Sequence, residues 1–435
     1  MTERRQLGLA AAISAVTGES IALGIFLTPA TMAKSLGSPL LLGLVWCAMG
    51  LMTVCGALCY SELAVRYPET GGTYVYLRQG YGERMAFLFG WMSAAVLDPG
   101  LAAALAVGAT SYIGTLAPLG RLGMALFPVF LLLGLAAINL LGTRLSGGVM
   151  ATANFFKLAV LVAIVGWAAA SGRGSLGNLL PLAARRAGSG PLFPAVAGAA
   201  VSAFFSFGGW WDVAKLGGEI REPERNLPRA LTAGVLLVTA TYLLVSFSFL
   251  YIVPLERVVS NTAFVAQLGS ALFGGAGGRV LSVCVLVAVL SGLTALTLSA
   301  PRVYYAMARD GVFFPLFGRL HPRFGTPVWA ILLQTGIALL LLGWGAFGRL
   351  LSYFIFSAVL FLGISVAALF RLERPMERWW YPAAPLLYLA GSLAIAALIL
   401  VQDPWPALLG VAIVLSGELL RRLFLPRSNA SGLAR

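Results

Sequence analysis

The sequence predicts an all-α integral membrane protein with twelve spans, on two observations. Of the 435 residues, 59% are hydrophobic and only 11% are charged. Soluble chains run at roughly 45–50% apolar and about 25% charged. The mean hydropathy is +0.89. The apolar residues also gather into twelve long runs, each near the roughly 20 residues that a helix needs to cross hydrocarbon. Such a chain is not a soluble enzyme, a disordered protein or a secreted disulfide scaffold. Its one histidine, His321, lies in a polar, basic stretch. No metal site or proton relay of several histidines can be assembled, and a Ser-His-Asp arrangement would have to use this loop residue. Neither a cofactor nor a resident metal is expected.

The runs cover about 8–34, 39–65, 84–113, 123–142, 148–170, 193–217, 230–253, 279–307, 326–345, 350–370, 382–401 and 405–423. The first carries Glu19 and continues to Pro29, too far for a signal-peptide core. The second holds Cys47, Cys55 and Cys59. Cys55 and Cys59 share a helix face at i, i+4, but no further ligand lies near in sequence. With Cys284 they read as small residues at helix contacts. Glu62 ends the same span, where capping or snorkelling accounts for it. The third run contains Asp98-Pro99-Gly100, and the acid is placed to satisfy backbone groups around a kink. The fifth carries Lys157 inside Asn154-Phe155-Phe156-Lys157-Leu158. After it, 172–192 is glycine-rich and reads as a flexible loop. Asp212 and Lys215, at i, i+3 in the sixth run, are spaced to pair, and Lys215 also reads as a helix-end residue. The eighth run carries the hydroxyls Ser291 and Thr294.

The formal net charge is +14. With the N-terminus inside, about twenty basic residues fall on the cytoplasmic side and about eight on the other. That asymmetry fixes orientation and returns the C-terminus to the cytoplasm after an even number of crossings. Topology therefore accounts for the positive charge, and no nucleic-acid partner is expected.

Two runs contain sequence that a lipid-exposed helix would not choose. One is Thr17-Gly18-Glu19-Ser20-Ile21-Ala22-Leu23-Gly24, the other Phe204-Phe205-Ser206-Phe207-Gly208-Gly209-Trp210-Trp211-Asp212. Each sets glycine beside a charge or hydroxyl near mid-span. Close helix packing at glycine is one reading. Paired interruptions at corresponding positions of two halves are also the best sequence pointer to a transporter site. Unwinding frees N–H and C=O groups that hydrocarbon cannot satisfy, and a zwitterionic substrate can. The N-terminal end of a half-helix attracts its carboxylate and free carbonyls accept from its ammonium. Lys157 needs acceptors as well. Carbonyls of the first break, the hydroxyls of Ser291 and Thr294, or an acid beside it would serve. A fixed cation there would replace a bound sodium ion.

The chain resembles the amino acid–polyamine–organocation superfamily, most closely its L-type amino acid transporter branch. The likeness spans nearly the whole chain. Its clearest stretches are 24–29 (Gly24 to Pro29), 60–63, 67–77 (Tyr67 to Leu77), Lys157, 207–210, 219–230 (Glu219 to Ala230), 301–311 (Pro301 to Gly311) and 325–327. It implies the LeuT-type fold: two inverted five-helix repeats, about 8–170 and 193–370 within a core of 1–370, then helices 11 and 12 and a tail over 371–435. It implies secondary transport of amino acids by alternating access across the cell membrane; the basic residues, nearly all arginine with only three lysines, point to a GC-rich bacterial genome and so to a bacterial inner membrane. The substrate set is then Ser20, Ile21, Ala22, Leu23 and Gly24 at the first break and Phe205, Phe207, Gly208 and Gly209 at the second. Amides of Leu23 and Gly24 would hold the carboxylate, and carbonyls of Ser20, Phe205 and Gly208 the amino group. Phe205 and Trp211 would gate the site. Lys157 would stand in the sodium position, with Glu19, Ser291 and Thr294 around it.

The chain departs from the family where Ala22-Leu23-Gly24 replaces Gly-Ser-Gly, where Trp211 replaces a smaller polar residue, and where Glu19 adds an acid. Glu19 either pairs with Lys157 or recognises a cationic side chain. The connection 113–122 has no cysteine, so a disulfide-linked heavy subunit is not expected; the partners are the amino acid and the surrounding membrane lipid. Sodium-independent exchange or proton-coupled uptake of neutral amino acids is the leading expectation. A cationic amino acid or polyamine transporter is the alternative, and a non-transporting sensor the remote one.

Overall fold

The computed structural model describes residues 5–22, 24–117, 119–258, 268–269, 271–272, 274–343, 347–372, 378–402 and 404–424. In chain order the α-helices are α1 (Leu9–Ser20), α2 (Gly24–Leu36), α3 (Pro39–Arg66), α4 (Thr73–Tyr81), α5 (Glu83–Met92), α6 (Asp98–Leu116), α7 (Arg121–Leu140) and α8 (Thr143–Ala170). Next come α9 (Leu192–Phe207), α10 (Pro223–Ile252), α11 (Gly277–Ser299), α12 (Pro301–Arg309), α13 (Val328–Leu342), α14 (Phe347–Ala367), α15 (Ala383–Gln402) and α16 (Pro404–Phe424). Among the described residues the sole β feature is an isolated parallel bridge between Leu7 and Ile220.

Eight helical stretches are long and apolar enough to cross a membrane: 39–66, 83–114, 121–140, 143–170, 192–219, 223–252, 274–309 and 383–402. The other four expected runs are helical as well. The first is split into α1 and α2. The ninth lies in α13 and the tenth in α14. The twelfth lies in α16, which ends in Glu418, Arg421 and Arg422.

Packing places the split helix at the centre. α1 lies against α10, α8 and α11, while α2 lies against α9. α10 runs along α3, where small residues allow the approach: Gly43 meets Phe247 and Gly50 meets Thr239. Large apolar side chains such as Leu51, Phe155, Val162, Leu244 and Leu393 point outward and are exposed, as a lipid-facing surface requires. The third span bends through a π-helical turn, Ser93–Leu97. Pro99 cannot donate to the carbonyl four residues back, and widening the preceding turn accommodates it.

The connection 172–192 is pinned, contrary to the flexible loop its glycines suggest. Arg185 donates to the carbonyls of Leu36 (2.9 Å), Ser35 (3.2 Å) and Gly190, and Ser38 Oγ donates to Leu182 O at 3.0 Å. Arg186 pairs with Glu256 at 3.0 Å. The loop thus caps the turn between α2 and α3. On the opposite side α4 carries Tyr74 and Arg78, both bonded to Asp310 beyond α12. Two sequence stretches more than two hundred residues apart meet there. His321 closes a turn, its Nδ1 accepting the amides of Arg323 and Phe324 at 3.2 Å.

Candidate functional site

α1 ends because Ile21 leaves the helical region (φ −81°, ψ 58°), its N–H closing the last turn on Thr17 O at 3.0 Å. The chain resumes as α2 at Gly24. Leu23, expected to offer an amide to substrate, lies outside the described residues. α9 ends at Phe207; Gly208 is extended and Gly209 adopts φ +94°, a left-handed conformation that side chains disfavour. A tight 3₁₀ stretch, Trp210–Glu219, completes the sixth span. The two breaks face each other. A Cβ on Gly24 would lie 2.6 Å from Ser206 Cα, and Thr28 Oγ1 sits 2.9 Å from Ser206 Oγ.

Tyr242 of α10 joins the breaks, and sequence reasoning missed it. Its hydroxyl lies 2.6 Å from Ser20 O and also bonds Ser206 O. A phenol in the middle of an apolar span was the available signal.

Lys157 projects from α8 to the first break and is 1% exposed. Its Nζ donates to Thr17 O at 2.8 Å and Gly18 O at 3.2 Å. Neither hydroxyl weighed as an alternative accepts from it. Thr294 donates back to Leu290 O at 2.7 Å, and Ser291 Oγ has no hydrogen-bond partner although it packs near Gly18. Neighbouring Asn154 fixes α1 from the same helix, donating to Thr17 Oγ1 at 2.9 Å.

Glu19 does not pair with Lys157. Two residues round α1 from Thr17, its side chain points the other way, against Gly209, with its carboxyl facing Asp212. Lys215 is buried rather than at a helix end. Its Nζ lies 2.9 Å from both Asp98 Oδ1 and Asp212 Oδ1. Asp98 also accepts from Ser93 and, at 3.4 Å, from Tyr304, so it is tied to side chains beyond its own kink. The cluster brings the carboxyl groups of Glu19, Asp98 and Asp212 and the ammonium of Lys215 together in the dry interior.

A cavity of about 20 Å³ lies between the breaks, lined by Glu19, Ser20, Ala22, Gly24, Leu101, Leu105, Phe205 and Gly208. It has room for about one water, so the site must widen to admit an amino acid. Ser20, Ala22, Gly24, Phe205 and Gly208 are thus brought together. Ile21, Phe207, Gly209 and Trp211 do not line it. Phe207 packs on Tyr242 (5.0 Å between rings), Trp211 on Trp210 (5.7 Å), and Gly209 backs Glu19. Leu101 and Leu105 were not anticipated. They follow Asp98 at i+3 and i+7, one stripe of α6.

One end of the site is clamped. Gln6 and Leu7 donate their amides to Glu219 O (2.8 and 3.0 Å), and Arg221 N–H returns to Leu7 O at 2.8 Å. Arg302 of α12, 1% exposed, holds Glu219 at 2.7 Å and Thr143 Oγ1 at 3.2 Å. Removing one partner of such a buried pair costs about 3–5 kcal/mol. Arg302→Gln is therefore expected to favour the state open on this side. A cysteine placed at Ala22 in a background free of the native cysteines should react at least tenfold faster with a thiol reagent from that side; an unchanged rate would show that the pair is not the clamp.

A sequence model of a family described as amino acid permease matches residues 7–414. The chain is 30% identical over 424 residues to the serine/threonine exchanger SteT of Bacillus subtilis (strain 168), covering 95% of both chains. It is 28% identical over 438 residues to the human b(0,+)-type amino acid transporter 1, covering 97% of this chain and 88% of that one. Among solved structures it resembles Mhp1, a nucleobase-cation-symport-1 family transporter in a closed conformation with bromovinylhydantoin bound. The TM-score is 0.61 at 16% identity, covering 94% and 95% of the two chains. That likeness bears out the LeuT-type fold.

Proposed function

The chain belongs to the amino acid permease family, and from its site we infer that it exchanges neutral amino acids without sodium. It is a multi-pass membrane transporter of amino acids working by alternating access, not an enzyme. The observation that carries the finer reading is Lys157 Nζ on the Thr17 and Gly18 carbonyls. A small cation in the first break would need the same oxygens, and a tethered ammonium already holds them. The apolar lining of Leu101, Leu105 and Phe205 suits a neutral side chain. SteT, by its name an exchanger of serine and threonine, supports both points.

In this reading the backbone at Ser20–Gly24 and at Phe205–Gly208 binds the substrate's charged groups, and Phe205 closes over it. The repeats run over 8–170 and 193–370, with 371–435 outside them. Both termini face the cytoplasm of a bacterial cell, and no disulfide-linked subunit is required. A second reading, transport of cationic amino acids or polyamines, is favoured by Glu19 lining the cavity beside Asp212.

The test is uptake of labelled alanine, serine, threonine, leucine, arginine and putrescine into proteoliposomes, with and without unlabelled amino acid inside. The account expects uptake of a neutral amino acid that rises at least tenfold with internal substrate. Arginine or putrescine uptake without neutral uptake would replace it with the second reading.

A further inference from the structure

A cavity of about 1110 Å³ lies away from the breaks, on the outer face of α8 and α11. Its two ends differ chemically. Arg144, Arg221 and Arg323 surround one end. All three are exposed, and among the described residues none forms an ion pair with a carboxylate. The other end is apolar, reaching Phe156 of α8 and Leu290 of α11.

The dimensions say what fits. Arg144 and Phe156 are twelve residues apart on one helix, about 18 Å at 1.5 Å per residue. Leu290 lies nine residues before the end of α11, about 14 Å from it by the same rise. One leaflet of hydrocarbon is about 15 Å thick, half of the roughly 30 Å core. The groove therefore begins where a membrane surface would lie and ends near the middle of the span. A soluble anion would use only the arginine end and leave the apolar length uncovered.

We propose that this groove is a binding site for an anionic phospholipid of the arginine-rich, inner leaflet. The arginine guanidinium groups would take its phosphate in charge-assisted hydrogen bonds, while an acyl chain lies along α8 and α11. Basic pockets between spans on the cytoplasmic side suit such headgroups. The site is distinct from the substrate cavity and does not rest on which amino acid is carried. It lies on the helix that carries Lys157, one residue beyond Phe156.

The test uses the full purified chain in detergent. Native mass spectrometry reads retention of dioleoyl phosphatidylglycerol against dioleoyl phosphatidylcholine, with inorganic phosphate added in a separate arm. Wild type should retain phosphatidylglycerol preferentially, and millimolar phosphate should not displace it. Each arginine changed to glutamine should weaken retention by about fivefold, as expected for roughly one interfacial cation. R225Q, an exposed arginine on the same side but outside the groove, should have no effect. Gly148→Trp keeps the arginines and fills the groove; a Cβ there meets nothing within 4 Å, so the helix tolerates it. This variant should lose the retained lipid while still taking up substrate in proteoliposomes. Equal retention of the two lipids, unchanged retention in Arg144→Gln/Arg323→Gln and Gly148→Trp, or displacement by inorganic phosphate would overturn the proposal.

Discussion

Replacing Lys157 by alanine is expected to cut exchange by at least tenfold while the chain still inserts and folds. The reason is local. Nζ supplies the donor to Thr17 O and Gly18 O, two carbonyls beside the point where α1 unwinds. Thr17 O keeps the Ile21 N–H, but Gly18 O loses its donor; a buried polar group left without a partner costs about 1–3 kcal/mol, worth about one power of ten or more in rate. No carboxylate neutralises the ammonium: Glu19 faces Asp212, and the nearby acids Asp98 and Asp212 are bound to Lys215. Its charge is held by backbone dipoles alone, as a bound metal cation would be. The alanine variant opens those oxygens to a small cation, so adding sodium should raise its rate while leaving wild type unchanged. Monodispersity in detergent checks folding, and counterflow of a labelled neutral amino acid checks transport. Unchanged counterflow in the variant would remove Lys157 from the mechanism.

The second large effect is expected at Gly24→Ala. The added methyl would sit 2.6 Å from Ser206 Cα and 2.8 Å from its Oγ. A backbone atom cannot rotate away, so α2 must withdraw from α9. That withdrawal stretches the Thr28–Ser206 contact and pulls at the Ser206 carbonyl that Tyr242 ties to Ser20. Overpacking of this kind costs about 1–3 kcal/mol. The cost falls on the state in which the breaks are closed over the site, and exchange should drop at least tenfold. Gly166→Ala is the control. It lies on α8 with nothing within 4 Å of its added methyl, and it should leave exchange as it is. Equal loss in both variants would mean that the effect is general destabilisation.

The breaks and Lys157 were legible in the sequence because hydrocarbon makes them conspicuous. Glycine beside a charge and a lone lysine inside an apolar run have few explanations at that depth. What Lys157 touches was not legible. Carbonyls and hydroxyls are equally good acceptors on paper, and only the turn at Ile21 decides that Thr17 and Gly18 carry it. The direction of Glu19 follows from its place on α1 and from Gly209, which leaves space for its methylenes. The Asp98–Lys215–Asp212 cluster hid for another reason. Asp212 and Lys215 are close in sequence, but Asp98 joins them across more than a hundred residues. Leu101 and Leu105 were hidden because leucines on a spanning helix are ordinary until a neighbour is known. The loop at 172–192 misled because glycines were weighed and the arginines that pin it were not.

The central claim, that a tethered ammonium takes the place of sodium, is tested most directly by one ratio. It is the initial rate of labelled neutral amino acid uptake by wild-type proteoliposomes, loaded with unlabelled amino acid, in sodium chloride over that in choline chloride. The account predicts a ratio of about one, because Lys157 already occupies the carbonyls of the first break. A ratio of ten or more, with uptake collapsing in choline, would contradict it.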